Sequence, residues 1–226
     1  MHKWLKRFKT LHFSFMTQLI LTQFAKSYNG NLVLGIPELS LSPGVYWIRG
    51  ENGSGKTSLF RSLAGLLPCQ GDVKFSDGIG LQEHPVAYRM LVNYSEAEPL
   101  YPGFLTSKEL VTFIGKTKKS TPAQQQDVIQ KFGIHQYYEK PCETYSSGML
   151  KKLSLALAFL GTPKLIILDE PLITLDNHAR QVLLQHVKDL VKQDVIFLMS
   201  SHQELDDSTL QINETYTIAN KTLIRN

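Results

Sequence analysis

The sequence predicts an α/β fold in which a mostly parallel sheet is covered by helices on both faces. Three observations carry this reading. Leu165-Ile166-Ile167-Leu168 and Val195-Ile196-Phe197-Leu198-Met199 are short, continuously apolar runs, the pattern of strands buried on both sides. Segments with helical periodicity lie between such runs, an alternation that implies parallel strands joined by crossover helices. Finally, Gly50-Glu51-Asn52-Gly53-Ser54-Gly55-Lys56-Thr57 joins a strand-like Val45-Tyr46-Trp47-Ile48 directly to a helix. The apolar positions of that helix are Leu59, Phe60, Leu63, Leu66 and Leu67, and Pro68 ends it.

The elements follow in order. Residues 1–15 carry Lys3, Lys6, Arg7 and Lys9 among Trp4, Leu5, Phe8 and Leu11. The next apolar stretch is broken by His12, Ser14, Thr17, Gln18, Thr22 and Gln23, and no small-residue cleavage site follows, which argues against a secretion signal. We read residues 1–15 as a loose basic leader, the alternative being a basic surface helix with Trp4, Leu5, Phe8 and Leu11 on its apolar side, and residues 16–226 as one domain. Leu19-Ile20-Leu21 and Leu32-Val33-Leu34 are opening strands, turned by Asn29-Gly30-Asn31 into an antiparallel β subdomain. Leu39 to Ile48 continues the β character, and residues 72–94 mix short strands and turns. Residues 107–116 and 122–132 are helical, started by Ser107 with Glu109 and by Thr121-Pro122, and form a small α-helical subdomain over about 105–145. Leu150, Leu153, Leu157 and Leu160 give a helix over 147–160, another helix spans 177–192, and a last β pair falls within 209–225.

Composition narrows the function classes. Hydrophobic content of 42% and charged content of 19% are ordinary for a globular chain, so disorder is excluded. No apolar run reaches the roughly 20 residues of a membrane span. A net charge of +4, with no basic patch interleaved with aromatics, gives no reason to expect nucleic acid. Cys69 and Cys142 have neither metal-ligand spacing nor a disulfide framework and read as idle thiols.

The glycine loop is a complete phosphate-binding loop (P-loop). Its glycines let backbone N–H groups close around phosphate oxygens, and the helix behind it aims its positive dipole end at them. Lys56 supplies a point charge for the β- and γ-phosphates, and Thr57, followed by Ser58, supplies a hydroxyl for Mg²⁺. Asp169 and Glu170 end the apolar strand 165–168, at the sheet edge where such folds bind ligands. Asp169 is therefore read as a Mg²⁺ ligand and Glu170 as the base that accepts a proton from an attacking water. His84, His135, His178 and His186 read as surface or structural residues.

With these motifs in this order, the chain resembles the ATP-binding-cassette (ABC) ATPases, whose core is a P-loop NTPase fold. Gly50 to Thr57 resembles that family's Walker A loop, and Leu165 to Glu170 resembles Walker B with its catalytic glutamate. Tyr145-Ser146-Ser147-Gly148-Met149 is similar to the signature motif, usually LSGGQ, and keeps Ser146 and Gly148. Leu175-Asp176 looks like the D-loop, His202 like the switch histidine, and Tyr28 like the aromatic that stacks on adenine. Aligned on Leu100-Tyr101-Pro102, the Q-loop glutamine falls on Glu96, with Glu98 a close alternative.

The resemblance implies ATP and Mg²⁺ as ligands and two subunits that sandwich two ATP molecules head to tail. Gly50, Glu51, Asn52, Gly53, Ser54, Gly55, Lys56, Thr57, Ser58, Tyr28 and Asp176 would hold nucleotide. Thr57, Asp169 and Glu96 would hold metal, and Glu170, His202 and Glu96 would act on the water and the γ-phosphate. Ser146 and Gly148, with Lys151 and Lys152 adding positive charge nearby, would close over the ATP of a second ABC subunit, identical or a close paralogue. A separate transmembrane permease is implied, contacted by the region 97–142 including Tyr101 and Phe104, so the chain would sit peripherally on the cytoplasmic face of the membrane. A YSxGM-like signature is similar to those of export-type subunits. The competing expectations are a soluble ABC ATPase acting on a ribosome or other complex, and a nucleotide-dependent binding protein without turnover.

Overall fold

The structure, a computed structural model, describes residues 17–201 and 210–226. β1 (Leu19–Tyr28) and β2 (Asn31–Leu41) form an antiparallel hairpin. Asn29 and Gly30 at its tip take φ of 50° and 79°, the left-handed pair that a two-residue hairpin turn requires. β2 ends at Leu41, because Ser42-Pro43 breaks the run before β3 (Gly44–Arg49). The expected continuous β stretch over 39–48 is thus two strands. After α1 (Lys56–Leu63), β4 (Gln70–Phe75) adds antiparallel to β1.

Residues 72–94 hold an unexpected element, α2 (Pro85–Leu91), which leads into β5 (Val92–Ser95). At seven residues it is too short to display a helical period, but Pro85 at its first turn is a start signal. α3 (Ser107–Thr117) and α4 (Pro122–Lys131) follow. The cap of α3 is Thr106 rather than Ser107: Thr106 Oγ1 accepts from Glu109 N at 3.2 Å, and Glu109 Oε2 accepts from Thr106 N at 2.8 Å. Thr121 caps α4 in the same reciprocal way with Gln124. The remaining elements are α5 (Ser147–Ala158), β6 (Leu165–Leu168), α6 (Asn177–Val191), β7 (Ile196–Ser200), β8 (Glu214–Ala219) and β9 (Thr222–Arg225).

The nine strands form one mixed sheet in the order β4-β1-β2-β9-β8-β3-β7-β6-β5. β8, β3, β7, β6 and β5 are parallel, whereas β4-β1-β2 and the β8–β9 hairpin are antiparallel. The antiparallel arm joins the parallel core through β9, at the single register point Gly35↔Thr222. Alternate residues of the core strands feed two separate apolar clusters. Val45, Trp47, Ile166, Leu168, Phe197 and Met199 lie in one, and Tyr46, Ile48, Leu165, Ile167, Ile196 and Leu198 in the other. This two-sided burial is why the strands read as unbroken apolar runs.

His186 on α6 is structural, as its sequence context suggests. Its ring packs against both Phe132 (5.8 Å between centroids) and Phe159 (5.0 Å), which also contact each other at 6.0 Å. Burial, seconded by Lys131 and opposed by Asp127 and Asp189, lowers its pKa, so the neutral imidazole is the form that packs. The unfolded chain therefore binds that proton more readily, and stability is lost as pH falls below about 6.5. We expect the melting temperature to drop less steeply between about pH 7.5 and pH 5 in His186→Phe than in the parent chain. Equal slopes in the two thermal scans would contradict this assignment.

Candidate functional site

The site sits beyond the carboxyl ends of β3 and β6, where the phosphate loop, Asp169-Glu170 and the end of β7 converge. Gly55 caps α1 with φ of 108°, a conformation that a β-carbon penalises, and no side chain caps the helix start. The first N–H groups of α1 are thus left for an anion. Lys56 folds back over the loop and donates to Gly50 O at 2.6 Å and Glu51 O at 3.0 Å.

Thr57 Oγ1 donates to Asp169 Oδ2 at 2.9 Å, which brings two of the three expected metal ligands together across 112 residues of chain. Asp169 Oδ1 accepts from Ser200 Oγ at 2.6 Å, and Ser200 Oγ in turn accepts from Glu170 N at 3.0 Å. One hydroxyl at the end of β7 thereby fixes both the aspartate and the backbone of the glutamate. Glu170 is buried and takes φ of 47°, a left-handed conformation rare for a residue with a side chain. The donors at Thr57 and Asp169 are hard oxygens, the set that suits Mg²⁺, so the residues fit that ion.

A cavity of about 590 Å³ lies against these groups, lined among others by Tyr28, Lys56, Thr57, Glu98, Asp169 and Glu170. Glu51, Asn52, Gly53, Gly55 and Ser58 also face it. Gly50 and Ser54 instead line a second cavity, which shares Glu51, Asn52 and Gly53 with the first. Tyr28 stands at the rim, 45% exposed, with its hydroxyl 3.2 Å from Ser58 Oγ and the Lys26 ammonium 4.4 Å from its ring centroid.

Glu96 does not line the loop cavity. Its carboxylate pairs with Arg61 at 3.2 Å and lines a different groove, whereas Ala97 and Glu98 line the loop cavity. Asp169 keeps Tyr94, on β5, at 3.5 Å. Burial raises the Tyr94 pKa, seconded by Asp169 and Glu96, so it stays a neutral hydroxyl.

The expected anion site at the start of α5 is only partly as read. Ser146 caps the helix, accepting from Met149 N at 3.3 Å, and both Ser146 and Ser147 are exposed. Lys151 and Lys152, however, do not present their charges there. Lys151 is 1% exposed and donates to Glu96 O, Ala97 O and Asp169 O, and burial pulls its pKa down to about 8. Lys152 pairs with Asp176 at 2.5 Å. Asp176 also caps α6, accepting from Ala179 N at 2.8 Å, and its pKa is lowered by Lys152 first and this backbone bond second. Gly148 is needed for close approach: a β-carbon there would lie 2.9 Å from Thr174 O. Ser146, Gly148 and Asp176 do not line the loop cavity.

Tyr145 explains one departure of the signature. Its buried hydroxyl lies 2.7 Å from Ser107 Oγ and 2.9 Å from Lys140 O, pinning α3 to the approach of α5. His202 and residues 1–15 lie outside the described residues. Ser200 and Tyr94 are neighbours of the site that motif reading missed, and Lys151, read as a charge near the signature, is instead a buried donor. For Ser200 a signal existed, since it closes a buried strand at the ligand edge of the sheet.

Comparison with known proteins bears on the family and the fold. Residues 37–173 match the family described as ABC transporter. The chain is 30% identical over 197 residues to ATP-binding cassette sub-family A member 7 of Rattus norvegicus, covering 81% of this chain and 9% of that protein. It is 34% identical over 158 residues to the uncharacterized ABC transporter ATP-binding protein YxlF of Bacillus subtilis, covering 68% of this chain and 51% of the relative. It is 31% identical over 181 residues to the ABC transporter ATP-binding protein NatA of Bacillus subtilis, covering 75% of this chain and 73% of that one. A solved structure described as an ATP binding subunit of an ABC transporter superposes with a TM-score of 0.81 at 22% identity, covering 91% of this chain and 87% of the other, and shows the shared fold.

Proposed function

We propose, for a chain that belongs to the ABC transporter family as an ATP-binding cassette, that it binds ATP with Mg²⁺, hydrolyses it, and energises a separately encoded membrane permease. The observation that carries the reading is the chain of contacts Thr57–Asp169–Ser200–Glu170 beside the loop cavity. Lys56 and the free N–H groups of the loop and α1 hold the phosphates. Thr57 and Asp169 hold the metal, which when bound neutralises charge on the β- and γ-phosphate oxygens. Glu170, held by Ser200 through its backbone, accepts a proton from the attacking water. His202 stabilises the charge that develops on the γ-phosphate. Tyr28 offers an exposed ring face to the base. Ser146 and Gly148 of the partner subunit complete the site, so ATP closes the dimer and hydrolysis opens it.

Glu98 replaces Glu96 in this scheme, because its residue faces the loop cavity. We expect Glu98→Ala to lower ATP turnover by about 10–100-fold, the usual cost of a lost outer-shell partner. Glu96→Ala removes only a half-exposed ion pair with Arg61, so turnover stays within about threefold. The reverse ranking in a phosphate-release assay would restore Glu96 to the site.

Among the described residues no helix is long and apolar enough to cross a membrane. A groove of about 460 Å³, lined by Leu66, Tyr101, Leu110, Ile114 and Leu157, supports a docking role for this face, as do the nearby exposed Leu100 and Phe104. Peripheral binding at the cytoplasmic face and an export direction follow from the permease partner and the YSxGM-like signature. Affinity capture of the chain from detergent-solubilised host membranes tests the reading. A co-purifying multi-span protein supports it; ribosomal partners with no membrane protein would leave the ATPase alone standing.

A further inference from the structure

We propose that Lys151 is a positioning residue: through three backbone carbonyls it fixes the exposed start of α5 to both walls of the chain's own nucleotide cavity. The inference rests on the ATPase reading above and adds a residue to it. Lys151 Nζ donates to Glu96 O at 2.7 Å, Ala97 O at 3.1 Å and Asp169 O at 2.9 Å. These three bonds use every proton of the ammonium group. They also tie together segments far apart in sequence: α5, the loop after β5 whose Ala97 lines the cavity, and the end of β6 that carries the metal-binding carboxylate.

Packing alone does not require a lysine here. A fully buried ammonium loses its hydration, and a methionine of similar length would fill the space without that cost. What methionine lacks is the three donors. Two more contacts run the same way. Gly148 meets Thr174 O at close range, and Lys152 pairs with Asp176. The first turns of α5 therefore touch the segment 169–176 at Asp169, Thr174 and Asp176. Thr174 takes φ of 64°, unusual for a β-branched residue, which marks this segment as held by its neighbours rather than by its own preference. Lys151 alone among these contacts also reaches the loop at 96–97. Any shift of Asp169 or of that loop when nucleotide binds is thus passed to Ser146 and Ser147 at the helix start, the surface offered to a second subunit.

The test compares Lys151→Met, which keeps the stem and removes the donors, with Lys151→Gln, which restores two of them. Steady-state ATP turnover, ATP affinity from a fluorescent nucleotide titration, thermal melting and amide hydrogen exchange are read on each. In Lys151→Met we expect kcat to fall about 10²-fold, the cost of misplacing a catalytic constellation by about 1 Å, with KM and ATP affinity within about threefold. Lys151→Gln is expected to recover about tenfold of that loss. Without nucleotide, residues 95–98 and 169–176 exchange faster in Lys151→Met, while α6 is unchanged.

Unchanged kcat in Lys151→Met overturns the proposal. So does a proportional fall of kcat and ATP affinity, or loss of cooperative melting in both variants, which would make the lysine a folding requirement only. The parent chain and Glu170→Gln serve as controls. Absent turnover in the parent, or full turnover in Glu170→Gln, would bring down the ATPase reading and this inference with it. Normal controls with a fully active Lys151→Met would bring down this inference alone.

Discussion

Glu170→Gln is expected to lower steady-state ATP turnover by roughly 10²–10⁴-fold, the range for removing a positioned base. ATP affinity should remain within about threefold, because the amide keeps the shape of the carboxylate and the phosphate contacts lie elsewhere. Three structural facts make the expectation sharp. The residue is buried beside the loop cavity, its backbone N–H is fixed by Ser200 at 3.0 Å, and its left-handed φ of 47° is maintained by those surroundings. A strained residue held this firmly is one whose direction matters. Phosphate release within a few-fold of the parent would remove Glu170 from the proton-accepting role. Loss of ATP binding in parallel with turnover would instead assign it to ligand binding.

Lys56→Ala should weaken ATP binding by about 30-fold or more, since truncating one partner of a buried charged contact commonly costs about 2–5 kcal/mol. The loss has two parts. The first is the positive charge opposite the phosphates. The second is the shape of the loop, because Lys56 holds it by bonds to Gly50 O and Glu51 O. Lys56→Arg separates the two. It keeps the charge, but its planar guanidinium does not reproduce a compact three-donor ammonium inside the loop. We expect partial recovery of affinity without full recovery of turnover. Nucleotide titration of the two variants checks this; ATP affinity equal to the parent in Lys56→Ala would show that the loop backbone suffices.

Much of the site was legible because its chemistry is local in sequence. The loop from Gly50 to Thr57 declares itself, and Asp169 follows an apolar strand whose register next to β7 the sheet topology dictates. The unread parts are those in which a residue's partner is distant and its own type is ordinary. Ser200 is one serine among many until β6 and β7 lie side by side. Lys151 is charged, and charge on a helix usually means solvent, so its burial could be found only from the three carbonyls around it. Glu96 and Glu98 are two residues apart on an irregular loop after β5, where no strand or helix period says which of them meets the cavity. The helix Pro85–Leu91 was missed because seven residues show no period.

The lone register point between Gly35 and Thr222 has a consequence for how the molecule is made. The antiparallel arm that carries Tyr28 is synthesised well before β9, yet its place in the sheet is created by β9. Until β8 and β9 have been synthesised, β2 presents an unpaired edge, the kind of surface on which other chains add. A late, long-range closure of this type slows folding, since loop entropy is spent before the contact repays it. The newly made chain therefore passes through a stage in which neither the arm bearing Tyr28 nor β3, which leads into the phosphate loop and pairs with β7 and β8, has all its neighbours in the sheet.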